Sequence, residues 1–308
     1  MKTVSLVGHV GEAASSLLKH AGLFGRTMRP LDWTKNAFVF APVFFSGEAD
    51  QVDKLLMVGL AFLAFSAMSS AVYVFNDIHD RERDRAHPGK CERPIASGAL
   101  SPRAAGMGAA ALTAVAVLLV HQSPPVAGTL LAYGCLNILY TVWLKHLVIL
   151  DVFSIAVGFV LRVFAGGLII GIEPSSWLIL ATFLLSLFLG LAKRRHELLV
   201  MKEVANSHRP VLEQYTISLV DELISVVTPL TLITYVLYTL DAATIARFHS
   251  RTLYLTCIFV VFGIFRYLFL VHCRELGGSP TTLILKDLPL RVAILGWVLT
   301  FAIIVYMA

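Results

Sequence analysis

The stretch Asn76-Asp77-Ile78-His79-Asp80-Arg81-Glu82-Arg83-Asp84 follows a long apolar run ending at Phe75 and precedes a basic loop that holds Lys90 and Arg93. On a helix, Asp77, Asp80 and Asp84 fall at i, i+3 and i+7, close to two full turns, so their carboxylates share one face. Grouped carboxylates repel one another unless a cation lies among them. Hard oxygen ligands of this kind suit Mg²⁺, which takes one or two carboxylates and completes its shell with water and substrate phosphate. The competing reading is a solvated helix end with charges paired along it, because Arg81, Glu82, Arg83 and Arg85 are interleaved. The position of the cluster against a membrane span favours the metal–diphosphate reading, since ionisable groups at membrane depth are functional by default.

Outward from this stretch the chain is apolar. Of its 308 residues 57% are hydrophobic and 15% charged, and the mean hydropathy is +0.77. A soluble domain carries roughly 25% charged residues, so the composition indicates an all-α integral membrane protein and gives no sign of the ten-residue alternation of a β-barrel. The weak N-terminal apolar stretch is broken by Gly8, His9, Gly11 and Glu12 and does not read as a signal peptide. Cys91, Cys135, Cys257 and Cys273 lie far apart, form no C-x-x-C and read as isolated thiols.

Apolar runs fall at about Leu31–Ser46, Lys54–Phe75, Arg103–His121, Pro125–Leu144, Leu147–Ile172, Ser176–Leu191, Ile217–Leu240, Leu253–Val271 and Leu288–Met307. Most approach the ~20 residues that cross a bilayer, which predicts a bundle of about nine transmembrane helices. The expected organisation is a cytoplasmic N-terminal amphipathic segment over residues 1–30, with Leu17, Leu18, Leu23 and Phe24 beside Lys19 and Arg26, and a transmembrane catalytic domain over 31–308. A mobile tail is the alternative for the first segment. Only Lys54, Arg247 and Arg251 fall in loops on one side; all other loop Lys and Arg fall on the other. The positive-inside rule then places the N-terminus in the cytoplasm, with the acidic cluster and the long basic loops on that same face of the plasma membrane. This is the pattern of a membrane enzyme fed from the cytoplasm; a transporter more often shows symmetric halves with broken helices. No nucleic-acid partner is expected.

Several ionisable residues lie inside the runs: Lys35 in the first, Asp151 and Arg162 on one face of the fifth, Asp221 and Glu222 opening the seventh, and Arg266 in the eighth. Burying them costs several kcal/mol unless they pair or line a wet cavity; Lys35 and Arg266 lie near enough to span ends to snorkel. Directly after the sixth run comes Lys193-Arg194-Arg195-His196-Glu197. Arg offers bidentate donors to phosphate and Lys a point charge. The cluster reads equally as a positive-inside anchor, with Glu197 placed to pair along the helix with Lys193 or Arg194.

Together these residues resemble the UbiA superfamily of membrane prenyltransferases. The resemblance rests on N-D-x-x-D-x-x-x-D at Asn76–Asp84, on Arg93-Pro94-Ile95-Ala96-Ser97-Gly98, and on Tyr140 with Lys145. It implies a nine-helix bundle around a lipid-open cavity and Mg²⁺ bound by Asp77, Asp80 and Asp84. Ordinary members join a prenyl diphosphate to an aromatic ring and carry a second aspartate motif where this chain has Lys193-Arg194-Arg195-His196-Glu197. That departure is similar to the decaprenyl-phosphate phosphoribosyltransferase branch, as are Trp33-x-Lys35-Asn36, Leu150-Asp151, Arg162-x-x-Ala165-Gly166-Gly167, Phe265-Arg266-Tyr267 and Leu285-Lys286-Asp287. The branch implies transfer of 5-phosphoribosyl from phosphoribosyl pyrophosphate to a polyprenyl phosphate, towards lipid-linked arabinose donors for the cell envelope. Catalytic candidates are then Asp77, Asp80, Asp84, Lys145 and Arg162. Binding candidates are Lys35, Asn76, Lys90, Arg93, Tyr140, Asp151, Lys193, Arg194, Arg195, Glu197 and Arg266. The alternatives are a Mg-dependent aromatic prenyltransferase and a non-enzymatic transporter or lipid-binding protein. Gly167-x-x-x-Gly171 suits close helix packing within one chain or between two copies.

Overall fold

A computed structural model of the chain describes residues 22–203 and 210–307; the expected amphipathic segment lies outside them as far as residue 21. The described residues are helical and contain no strand. After a 3-10 segment, Pro30–Phe40, the helices are α1 (Ala41–Phe45), α2 (Val52–His79), α3 (Arg81–Ala86), α4 (Pro102–Leu119), α5 (Pro124–Val142), α6 (Leu150–Ile169), α7 (Ser176–Glu203), α8 (Ile217–Leu240), α9 (Ala242–Phe248), α10 (Cys257–Cys273), α11 (Pro280–Lys286) and α12 (Leu288–Tyr306). Eight of these elements, α10 counted with the 3-10 turn before it, are long and apolar enough to cross a membrane. The ninth expected span is the 3-10 segment continued by α1. Pro42 lies at the start of α1, where its missing N–H and its ring interrupt any α-helix running through from the preceding residues.

The caps explain several boundaries. Ser101 accepts from Ala104 N at 3.2 Å ahead of Pro102, Thr216 from Leu219 N at 3.1 Å, and Asp287 from Leu290 N at 3.0 Å. Each satisfies an orphan N–H of a helix start. Large apolar side chains on the long helices, among them Leu288, Val292, Leu295, Leu299 and Ile303 of α12, point outward, which in this composition is a lipid-facing stripe. All four cysteines are free thiols.

The chain forms two compact units. One takes the chain up to Ala37 with Gly59–Thr141. Small polar residues of α2 hold the 3-10 segment in it: Trp33 Nε1 donates to Ser70 Oγ at 3.0 Å, and buried Asn36 to Ser66 at 3.1 Å and Ser69 at 3.3 Å. In an apolar surround such bonds supply what hydrophobicity does not. The loop after α3 packs through Ile95 and Leu100 against Val74 of α2 and Ala105 of α4.

The other unit takes Phe38–Val58 with Val142–Ala308. Its main core joins Val152 and Ala156 of α6, Leu184 to Ala192 of α7, Val220 and Ile224 of α8, and Ile264 to Val271 of α10. The α6–α7 seam is tight because Gly190 has no side chain: a Cβ there would lie 2.6 Å from Val152 Cγ1. A second, aromatic cluster gathers Tyr235, Tyr238, Phe248 and Phe301 with Phe44, Phe45 and Trp297. There Tyr235 Oη accepts from Trp297 Nε1 at 2.6 Å, the amphipathic use of aromatic residues typical of a membrane boundary.

Candidate functional site

In the first unit the acidic motif straddles a helix break. α2 runs one turn past the apolar run and carries Asn76 and Asp77; α3 carries Asp84. Asp80 stands between them, at φ −90° and ψ 8°. The backbone ladder continues across the break, from Asp80 N to Asn76 O at 2.9 Å and from Asp84 N to Asp80 O at 2.8 Å.

Asp77 and Asp84 are almost fully buried and meet through one cation. Arg93 Nη1 donates to Asp77 Oδ1 at 3.1 Å and to Asp84 Oδ2 at 2.7 Å. Arg29 Nη2 adds a bond to Asp77 Oδ1 at 2.5 Å, and its guanidinium lies 5.0 Å from the centre of the Tyr73 ring. The loop from Arg93 to Gly98 presents Arg93 because it is folded on itself: Leu100 N donates to Pro94 O at 2.8 Å, Arg85 Nε to Ala96 O at 2.9 Å, and Gly98 closes the turn at φ 83°. Such a φ is open to glycine at little cost.

Among the described residues, no three His, Cys, Asp or Glu side chains are gathered so as to hold an ion. Of the three expected carboxylates, Asp77 and Asp84 share one guanidinium nitrogen. Asp80 stands at the break with its carboxylate 4.0 Å from Arg83 Nη1. The pair that does converge has the oxygen-only donor set that Mg²⁺ takes, and a guanidinium nitrogen already stands where a cation would balance them. The donor chemistry therefore fits that ion. Of the remaining candidates in this unit, Asn76, Lys90 and Tyr140 are half-buried. Lys35 pairs with Asp32 at 2.5 Å on the 3-10 segment and does not join the Asp77 group.

In the second unit the close α6–α7 seam brings Asp151 against Arg194. Arg194 Nε donates to Asp151 Oδ2 at 2.7 Å, its Nη1 donates to Glu197, and the Arg194 and Asp151 side chains are 3% and 0% exposed. Tyr215 Oη donates to Asp151 Oδ1 at 2.8 Å and accepts from Ile149 N at 2.6 Å. Burial pushes the Tyr215 phenol up from its ordinary value, so it stays neutral. Arg195 Nε donates to Asp221 Oδ1 at 2.7 Å and its Nη1 to Val271 O at 3.1 Å.

The structure places the expected phosphate cations Lys193, Arg194 and Arg195 on the polar end of α7. Both arginines are committed to carboxylates inside the protein, because α7 continues as a helix to Glu203 and turns them onto α6 and α8. Lys193 alone of the three is exposed. Glu197 pairs with Arg194, the i+3 choice. Lys145 is half-buried in a 3-10 turn, Leu144–His146. Arg162, nearly buried, donates to Gly158 O at 2.8 Å and sits 5.1 Å over the Phe159 ring. Arg266 forks onto Asp287 at 3.2 and 2.8 Å, and that hydrogen bond holds the Asp287 carboxyl below its ordinary value.

Two residues of these networks escape sequence reasoning: Arg29 and Tyr215. Each stands alone in its segment, and each reaches its partner across a long sequence separation. The available signals were an arginine placed directly before Pro30 at the start of a span, and a tyrosine placed directly before the Thr216 cap.

The profile of the UbiA prenyltransferase family matches residues 37–275. The chain is 31% identical over 287 residues to the decaprenyl-phosphate phosphoribosyltransferase of Corynebacterium glutamicum, covering 91% of this chain and 86% of that protein. It is 31% identical over 293 residues to the protein of the same name from Mycolicibacterium smegmatis, covering 91% and 92%. A UbiA homologue from Archaeoglobus fulgidus, solved with GPP and Mg²⁺, superimposes with a TM-score of 0.69 at 18% identity, over 92% of this chain and 99% of that one. The chain belongs to the UbiA prenyltransferase family.

Proposed function

We propose that the chain transfers the 5-phosphoribosyl group of phosphoribosyl pyrophosphate to a polyprenyl phosphate of the decaprenyl class and releases diphosphate. The observation that carries this reading is the set of residues that follows the apolar part of α7. Where a second aspartate motif is expected of an aromatic prenyltransferase there is Lys193-Arg194-Arg195, and Asp151, Glu197 and Asp221 are each bonded to one of these arginines. The relatives that share this chain's length carry the corresponding name.

Asp77, Asp80 and Asp84 would hold Mg²⁺, which when bound neutralises a diphosphate leaving group. Arg93, Arg29 and Lys90 are cations of the same unit, and their charge favours the diphosphate oxygens. Lys145 and Lys193 supply charge for the separate phosphate groups that both substrates carry, the 5-phosphate of the donor and the phosphate of the acceptor. An acceptor phosphate oxygen forms the bond to ribose C1 as the C1–O bond to diphosphate breaks, and the electron pair leaves with the diphosphate. That oxygen is already an anion, so the protein must position it and need not deprotonate it. Displacement inverts the anomer. The site faces the cytoplasm, in a plasma-membrane protein with its N-terminus inside, and the product is a lipid-linked phosphopentose of the class that leads to arabinose donors for the cell envelope.

The test is incubation of purified protein with ribose-labelled phosphoribosyl pyrophosphate, Mg²⁺ and polyprenyl phosphate. A labelled lipid is the expected product. Prenylation of an aromatic acceptor with no labelled lipid would replace this reading by the aromatic one, and neither product would leave a transporter or lipid-binding role.

A further inference from the structure

Ile149 has a backbone conformation that its side chain disfavours, with φ 70° and ψ −48°. Positive φ at a β-branched residue is a true outlier, and this pair of angles lies near the rare, strained γ-turn form. Such strain persists where the surroundings over-determine it, and it collects at functional sites. Ile149 sits between the 3-10 turn Leu144–His146, which carries Lys145, and the first turn of α6, which carries Asp151. Its amide does not join the helix ladder. It donates instead to Tyr215 Oη at 2.6 Å, while that hydroxyl donates to Asp151 Oδ1 at 2.8 Å.

Tyr215 is itself well anchored. Its ring is buried in the main core of this unit, its N–H donates to Leu212 O at 3.2 Å, and the next residue, Thr216, caps α8. One hydroxyl thus holds a strained amide on one side and, on the other, the carboxylate that meets Arg194. We infer that Tyr215 is a positioning residue: it keeps Ile149 in its positive-φ conformation and aims Asp151 at Arg194, fixing the turn that bears Lys145. The inference rests on the phosphate-binding role proposed for Lys145.

The experiment uses the full chain in nanodiscs, comparing wild type, Tyr215→Phe and Tyr215→Phe/Ile149→Gly. Phe keeps the buried ring and removes only the hydroxyl. In the absence of substrate, hydrogen exchange over 144–153 should rise in Tyr215→Phe and stay unchanged in α8 and α10. In kinetics, KM for one phosphate-bearing substrate should rise about tenfold, the scale of a lost hydrogen bond to a charged group, with kcat nearly constant. Glycine takes positive φ freely, so adding Ile149→Gly should recover most of that KM.

Unchanged exchange over 144–153 would overturn the clamp whatever the enzyme transfers, so this arm stands apart from failure of the proposed reaction. Raised exchange with unchanged KM would overturn the positioning role, as would an equal loss of activity in the single and double variants. If Tyr215→Phe alone does not fold, a folded and active double variant supports the inference and a second unfolded protein overturns it.

Discussion

Asp151 and Arg194 meet at 2.7 Å with almost no access to solvent, one at the start of α6 and the other two-thirds of the way along α7. Removing one partner of a buried pair leaves an uncompensated charge and costs about 3–5 kcal/mol. Arg194→Met should therefore lower the unfolding midpoint in detergent sharply, and Asp151→Asn with Arg194→Met should recover much of it. Equal midpoints for wild type and Arg194→Met would mean that the buried Asp151–Arg194 pair adds nothing to stability.

Arg93 performs the corresponding service for Asp77 and Asp84. Arg93→Ala should leave two buried carboxylates facing one another with Arg29 as the remaining cation. The variant should then gain more thermal stability from added Mg²⁺ than the wild type does, because the ion takes over the guanidinium's part. The comparison is two unfolding curves, each with and without Mg²⁺; an identical Mg²⁺ effect in both proteins would count against metal binding at this pair.

Asp80 is partly exposed, with its carboxylate 4.0 Å from Arg83 Nη1. Asp80→Asn should therefore abolish turnover while leaving the unfolding midpoint within about 0.5 kcal/mol of wild type, the scale of an uncoupled surface change. Wild-type turnover and Mg²⁺ dependence in this variant would remove Asp80 from the ligand set.

The Arg266–Asp287 fork gives a pH signature. Asp287 is held below its ordinary value by the Arg266 hydrogen bond, so the folded state binds its proton less readily than the unfolded state does. The stabilisation is fully present above the ordinary carboxyl value of about 4 and is lost as pH falls through the lower folded value. The gap in unfolding midpoint between wild type and Asp287→Asn should be constant near neutrality and should close on acidification.

For topology, single cysteines at Glu92 and Arg251, both exposed, in a chain otherwise free of cysteine, should react from opposite sides of the membrane. An impermeant thiol reagent applied outside intact cells should label Arg251→Cys and spare Glu92→Cys. The reverse pattern would turn the proposed orientation over.

Much of this was legible because apolar run length reports what lies in lipid. The run Ile217–Leu240 is the helix itself, bounded by Thr216 as cap. The run ending at Leu191 reports only the apolar part of α7, since a helix goes on after its side chains turn polar; that continuation decides where Arg194 and Arg195 point. The acidic motif was visible as a spacing, but the break at Asp80 was not, because the residues around it are all acceptable in a helix. Arg29 and Tyr215 had no local pattern to reveal them, since their roles come from contacts that only the fold creates.

Gly190 carries a consequence beyond the seam it closes. Val152 has little rotameric freedom on a helix, so the hydrogen atom at position 190 and the isopropyl group at 152 share a fixed volume. Within a library of variants, side-chain bulk at one position should be found only with its loss at the other. Any descendant that enlarges both must part α6 from α7 and, with them, the charges of Asp151 and Arg194.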